Sequence, residues 1–248
     1  MYILAINGSP RMDKGNTDKI LQPFLEGTRT AGATAETLYI KKLKITPCQG
    51  CYSCHWHTPG ECKMKDDMQQ VLDKILKADL VVFATPLYVF TVSTYMKAVM
   101  DRMMVLGDLK VEVVNGVTAH PPRYPDKKWN WVVISNAGFP EQDHFSAMLD
   151  TFKRFARAIG GGDYVNISAS ICKGMGELMA VKPLLPSFSW FFEACRKAGR
   201  EIVETQGVTP ETMAVLNRPF MDISLEEFAE LANVNIEKAA KIIREKSG

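Results

Sequence analysis

Apolar residues open the chain as a short unbroken run, residues 3–6, and then recur at helical spacing as Ile20, Leu21, Phe24 and Leu25, with small, polar and basic residues between. That pattern predicts strand, loop, helix. A second strand is expected over residues 35–45, with Leu38, Ile40, Leu43 and Ile45 as its apolar positions and Pro47 as its stop. Met68, Val71, Leu72, Ile75 and Leu76 share one face of a helix that Asp66 or Asp67 can cap. Residues 80–84, Leu-Val-Val-Phe-Ala, form a continuous apolar run of the kind a central parallel strand shows. The next helix carries Val92, Tyr95, Met96, Val99, Met100, Met103 and Met104 at three-and-four spacing, with Lys97, Asp101 and Arg102 on its polar face. Its methionine stripe is either core or an adaptable dimer contact.

The pattern breaks over residues 107–128, which read as a surface excursion with a hairpin at Asn115-Gly116. It resumes with a fourth strand over 130–134, a helix over 142–159 and a fifth strand over 164–168. Five strands alternating with helices predict an α/β fold built on a doubly wound parallel sheet, because parallel neighbours need crossovers. No strand is expected beyond Cys172. Thr209-Pro210, and Ser224 with Glu227, are helix-start signals, and Leu225, Phe228, Leu231, Ile236, Ala240 and Ile243 indicate a helical appendix packed on the sheet domain.

The chain has 248 residues, 46% of them hydrophobic, and a net charge of +2, so it can bury a sizeable core and offers no electrostatic argument for a nucleic-acid or membrane-surface partner. The first apolar stretch stops at Asn7, and no run reaches the length of a membrane span, so the cytoplasm is the expected compartment. Cys48, Cys51, Cys54 and Cys62 crowd into fifteen residues, spaced C-x2-C-x2-C-x7-C, which suggests metal or redox chemistry rather than a disulfide framework. Cys172 and Cys195 read as buried or half-buried free thiols.

Ligands of such sheets bind beyond the carboxyl ends of the strands, so the loops after the first, third and fourth strands belong together. The first, NGSPRMDKGNT, joins backbone N–H groups and a helix start to the charge of Arg11, a setting for phosphate. Neither a Walker loop nor a G-x-G-x-x-G fingerprint fits it, which leaves a single phosphate held by hydroxyls and an arginine. Ser9, Asn16 and Thr17 would also serve as plain turn and cap residues. The second loop, TPLYVF, and the third, SNAGFPE, bring Tyr88, Phe90 and Phe139 beside main-chain amides, a setting for a planar polar ring.

NGSPR followed by GNT, the segment TPLYVFTVSTYMKAVMDR and SNAGFPE resemble the NADPH-dependent FMN reductase family of flavodoxin-like proteins over residues 1–170. CQGCYSCHWHTPGEC is similar to the cysteine set of that family's iron-sulfur flavoprotein branch. The resemblance implies a flavodoxin-like five-stranded sheet in the order 2-1-3-4-5, an FMN-binding domain over 1–174 and a helical extension over 175–248. It implies FMN with its phosphate on Ser9, Arg11, Asn16 and Thr17, and its isoalloxazine beside Pro86, Leu87, Tyr88, Val89, Asn136, Ala137, Gly138 and Phe139. NAD(P)H as hydride donor, a small-molecule or redox-protein acceptor, no nucleic-acid or membrane partner, and a homodimer or homotetramer follow from the same likeness. For Cys48, Cys51, Cys54 and Cys62 it implies a 4Fe-4S cluster, while a structural zinc and free thiols stay open beside it. A ferredoxin-served electron carrier and a non-enzymatic redox sensor are the rival functions. His55 and His57 read as surface or pocket residues and His144 as a solvated helix residue near the third loop. The chemistry would be the flavin's, so no catalytic side chain is named.

Overall fold

In a computed structural model, which describes residues 1–174 and 186–247, five parallel strands form one sheet. They are β1 (Tyr2–Asn7), β2 (Thr34–Tyr39), β3 (Leu80–Pro86), β6 (Trp129–Asn136) and β7 (Val165–Lys173). Their spatial order is β2-β1-β3-β6-β7, which within the sheet is the expected 2-1-3-4-5. β4 (Glu112–Val114) and β5 (Val117–Ala119) pair separately as the expected hairpin, with Asn115 and Gly116 both at positive φ, as a two-residue turn of this kind requires. β3 is buried at every residue, which is why its sequence is an unbroken apolar run. The chain leaves β1 for β2 on one side and then crosses to β3 on the other. A crevice therefore opens where their carboxyl ends part.

The helices of this part are α1 (Asn16–Thr30), the single turn α2 (Ser53–Trp56), α3 (Met68–Lys77), α4 (Thr94–Arg102), α5 (Ser146–Ala158), α6 (Ser189–Thr205) and α7 (Pro210–Asn217). Alternate strand residues Leu4, Ile6, Val81, Phe83, Trp131 and Val133 share one core with Met68, Val71, Leu72 and Ile75 of α3, Met96, Val99 and Met100 of α4, and Met148 and Phe152 of α5. The methionine stripe is therefore largely core, with Met104 its exposed member. α1 and α6 pack backbone to backbone. A Cβ on Gly27 would lie 1.9 Å from the Arg196 carbonyl oxygen, and one on Gly199 2.0 Å from that of Phe24.

Three details differ from the sequence pattern. β2 stops at Tyr39, opposite Asn7, because β1 turns away there into its loop and no ladder partner remains; Ile40–Lys42 then form a 3-10 turn that buries Ile40. β7 runs on to Lys173, pairing with the extended end of β6. Arg102, expected on the polar face of α4, is 3% exposed.

The chain divides into two compact units, residues 1–218 and 219–248. The second contains α8 (Leu225–Ser247), opened by a reciprocal capping box: the Ser224 N–H donates to Glu227 Oε2 at 2.8 Å and the Glu227 N–H to Ser224 Oγ at 3.1 Å. The start of the expected C-terminal extension, residues 175–185, lies outside the described residues. Among the described residues, no helix is long and apolar enough to cross a membrane.

Candidate functional site

The loop after β1 is held by its own side chains. Asn7 Oδ1 accepts the Ser9 N–H at 2.9 Å, and Asn7 Nδ2 donates to Asp18 Oδ1 at 3.0 Å. Asp18 is buried in the first turn of α1, and its Oδ1 also accepts from Tyr39 Oη at 3.0 Å and Gln22 Nε2 at 3.2 Å. Burial, followed by the charge of Asp18, pushes the Tyr39 phenol up to about 12, so Tyr39 stays a donor. Gly15 precedes α1 with no capping side chain, and a Cβ there would lie 2.6 Å from Ser9 Oγ. Glycine thus leaves the hydroxyl room beside an uncapped helix start. Burial first, then the nearby Arg11 charge, lowers the Lys19 pKa. The Arg11 charge, hydroxyls and the positive end of α1 suit a phosphate.

Neighbouring loops close around that start. Ser93 Oγ donates to the Gly8 carbonyl at 2.6 Å and accepts the Met96 N–H at 3.2 Å, tying the loop to the head of α4. Thr17 Oγ1 donates to Asn136 Oδ1 at 2.7 Å across 119 residues of sequence. One crevice is lined by Ser9, Arg11, Asn16 and Thr17 from the first loop, Pro86, Leu87 and Tyr88 from the second, and Asn136, Ala137 and Gly138 from the third. Val89 and Phe139, the remaining expected contacts, stand at its lip, 90% and 60% exposed. Tyr88 and Thr91 exchange backbone hydrogen bonds of 2.9 and 3.1 Å around Val89 and Phe90, which have φ of 48° and 60°. A β-branched residue in that region is strained by about 1–3 kcal/mol, a feature that clusters at ligand sites.

His144, read from the sequence as solvated, is half-buried and meets the ring of Phe90 edge-on at 5.4 Å and that of Phe139 at 5.7 Å. Sequence reasoning also passed over Asn7, Asp18 and Ser93. Their types are ordinary at strand ends and helix starts, and only their partners reveal the role.

The four cysteines line a second cavity, together with Tyr52, His55, Arg102, Met104 and Val105. Cys48 and Cys51 are exposed, and Cys54 and Cys62 are half-buried. The Gly50 N–H donates to Cys48 Sγ at 3.5 Å. Burial, then the neighbouring Cys62, raises the Cys54 pKa. Among the described residues, no group of three or more His, Cys, Asp or Glu stands in metal-binding geometry. What the loop provides is convergence of four soft sulfur donors on one space, the donor chemistry that zinc or an iron-sulfur cluster uses. His55, whose pKa is lowered by burial and then by Arg123, lines the cavity without adding to that set. His57 is exposed. α4 separates the two sites: Ser93 at its head binds the loop after β1, and Arg102 at its end lines the thiol cavity.

A family profile described as NADPH-dependent FMN reductase matches residues 1–126. An iron-sulfur flavoprotein of Archaeoglobus fulgidus is 39% identical over 102 residues, covering 41% of this chain and 48% of that protein. One from Methanosarcina thermophila is 31% identical over 119 residues, 48% of this chain and 61% of that protein. The chain thus spans about half the length of the curated relatives it matches. An FMN-dependent NADH-azoreductase from Bacillus anthracis, solved with FMN, has a similar fold: TM-score 0.58 at 14% identity, over 82% of this chain and 99% of that one.

Proposed function

The chain belongs to the NADPH-dependent FMN reductase family, and from that premise we propose that it is an oxidoreductase that holds FMN in the three-loop crevice. NAD(P)H would supply hydride, and a small-molecule or redox-protein acceptor would take the electrons away. The observation that carries this reading is the meeting of the phosphate loop with the loops after β3 and β6 around one space. Arg11, Ser9, Asn16, Thr17 and the start of α1 hold the phosphate. The ring lies against Pro86, Leu87, Tyr88, Val89 and residues 136–139, whose amides orient it. FMN, when bound, supplies both two-electron and one-electron chemistry. The chain's own residues bind, orient and exclude water, and none is needed as acid or base.

FMN binding is assigned to residues 1–174, with 175–248 as a helical extension. Tyr88, Val89, Phe90 and Phe139 leave apolar surface at the lip, and a second copy of the chain in a homodimer or homotetramer would cover it. The compartment in this reading is the cytoplasm, with no nucleic-acid or membrane partner. The test is FMN titration of the apoprotein. One FMN per chain is expected, with Arg11→Ala weakening affinity roughly tenfold to a hundredfold, the effect of losing a charged hydrogen bond. Equal affinity in a folded variant overturns the assignment.

A second reading is favoured by the four thiols that share one cavity. Cys48, Cys51, Cys54 and Cys62 would hold a 4Fe-4S cluster, and the protein would act as an electron carrier served by ferredoxin. Anaerobic stopped-flow with NADH, NADPH and reduced ferredoxin separates the two, because the carrier is reduced rapidly only by ferredoxin.

A further inference from the structure

Arg102 closes α4 with its guanidinium buried. Nη1 donates to Asp66 Oδ2 at 2.6 Å and to the Thr46 carbonyl at 3.2 Å. Asp66 also accepts the N–H groups of Thr46 at 2.9 Å and Met68 at 3.1 Å. Burial alone would raise that carboxyl, but the guanidinium and the two amides outweigh it and hold it at about 2. The pair is therefore ionised, and it occupies only one corner of the arginine. Nε and Nη2 are buried and meet no oxygen acceptor, and the side chain that the guanidinium meets on the cavity side is Cys62.

A buried charged donor without a strong acceptor is costly, so this face of Arg102 calls for an anionic one. It borders the four-thiol cavity, and Cys62 is the group there that interacts with its charge. We propose that Arg102 is the counter-charge of an anionic tetrathiolate centre in this cavity, oriented by Asp66 and donating N–H groups toward the sulfur of Cys62. This rests on reading the four cysteines as metal ligands. Four thiolates around a divalent metal, or around a 4Fe-4S core, carry net negative charge into a half-buried space. A fixed guanidinium beside one of them offsets the desolvation, and N–H donors to sulfur tune the centre's potential. A pair that served only to anchor the cysteine loop to α4 would stabilise the fold and leave metal affinity alone.

The test uses the reduced full chain under anaerobic conditions, titrated with Co2+ and followed by the thiolate-to-cobalt charge-transfer absorption. The double variant Arg102→Met with Asp66→Asn removes both charges, so no buried charge is left alone. It is expected to bind cobalt about tenfold to a hundredfold more weakly, the usual cost of losing an outer-shell partner. Arg102→Lys should recover most of the affinity. After loading with iron and sulfide, the double variant should show a more negative midpoint potential. Cobalt affinity and potential that match the unaltered protein in a folded double variant overturn the role of Arg102. No cobalt band and no iron incorporation in the unaltered protein would together remove the tetrathiolate reading, and this role with it.

Discussion

Lys173 ends β7 with 2% of its surface exposed, and its Nζ donates to the carbonyls of Leu216, at 3.1 Å, and Arg218. The ammonium also lies 5.2 Å from the ring centre of Trp190 and 4.8 Å from that of Phe191. Burial lowers its pKa from 10.5 to about 8. Below that value the amine is charged in the folded and unfolded chain alike, and the folded state bears the cost of the buried charge. Between 8 and 10.5 the unfolded chain holds more protons, so stability contributed at this position rises with pH. The gap corresponds to about 3 kcal/mol at most. Urea unfolding of the protein and of Lys173→Met should therefore show a stability difference that moves in favour of lysine by up to that amount from pH 7 to pH 10.5. A difference that does not change with pH contradicts this. Neither Lys173 nor Arg102 was legible as buried, because the partners of each come from distant segments: Leu216 and Trp190 for one, Asp66 for the other. The loop that carries Ser9, Arg11 and Thr17 was legible because strand, loop and helix start are adjacent in sequence and a local pattern defines all three.

At the scale of elements, legibility follows whether an element's limits are set within it or by a neighbour. The apolar run of β3 and the period of α4 are internal, and both elements form there, although α4 ends at Arg102 and Met103 and Met104 fall in the 3-10 helix that follows it. β2 ends where β1 ceases to pair, which a single strand's sequence does not encode. The contact of α1 with α6 is of the same kind. Gly27 and Gly199 lie far apart in sequence, and each is needed because the opposite helix brings a carbonyl to within about 2 Å of where a Cβ would sit. Moving backbone is costlier than moving a side-chain tip, so Gly199→Ala should destabilise by about 3 kcal/mol, the upper part of the usual range for overpacking. Denaturant midpoints check this, with Gly207→Ala, which meets nothing within 4 Å, as the control. A Gly199→Ala protein as stable as that control would mean that the helices can separate at little cost.

The whole molecule places two candidate redox sites at the two ends of α4. That helix has nine residues and so a length of about 13 Å at the usual rise. The crevice and the thiol cavity share no lining residue, and effects at sites this far apart add nearly independently, within about 0.5 kcal/mol. Replacing Cys48 and Cys51 together by serine should therefore abolish iron incorporation after anaerobic loading while leaving FMN affinity, and reduction of FMN by NAD(P)H, within about twofold of the unaltered protein. The two cysteines are exposed, so the replacement opens no core. Flavin titration and iron and sulfide analysis on one preparation read both sites. If FMN affinity fell more than tenfold in a protein that still folds, coupling across α4 within one chain would be too small to explain it. The remaining source of coupling would be a second copy whose cysteine loop reaches the exposed lip at Val89, Phe90 and Phe139. Loss of the effect on dilution to monomer would then identify that copy as part of the flavin site.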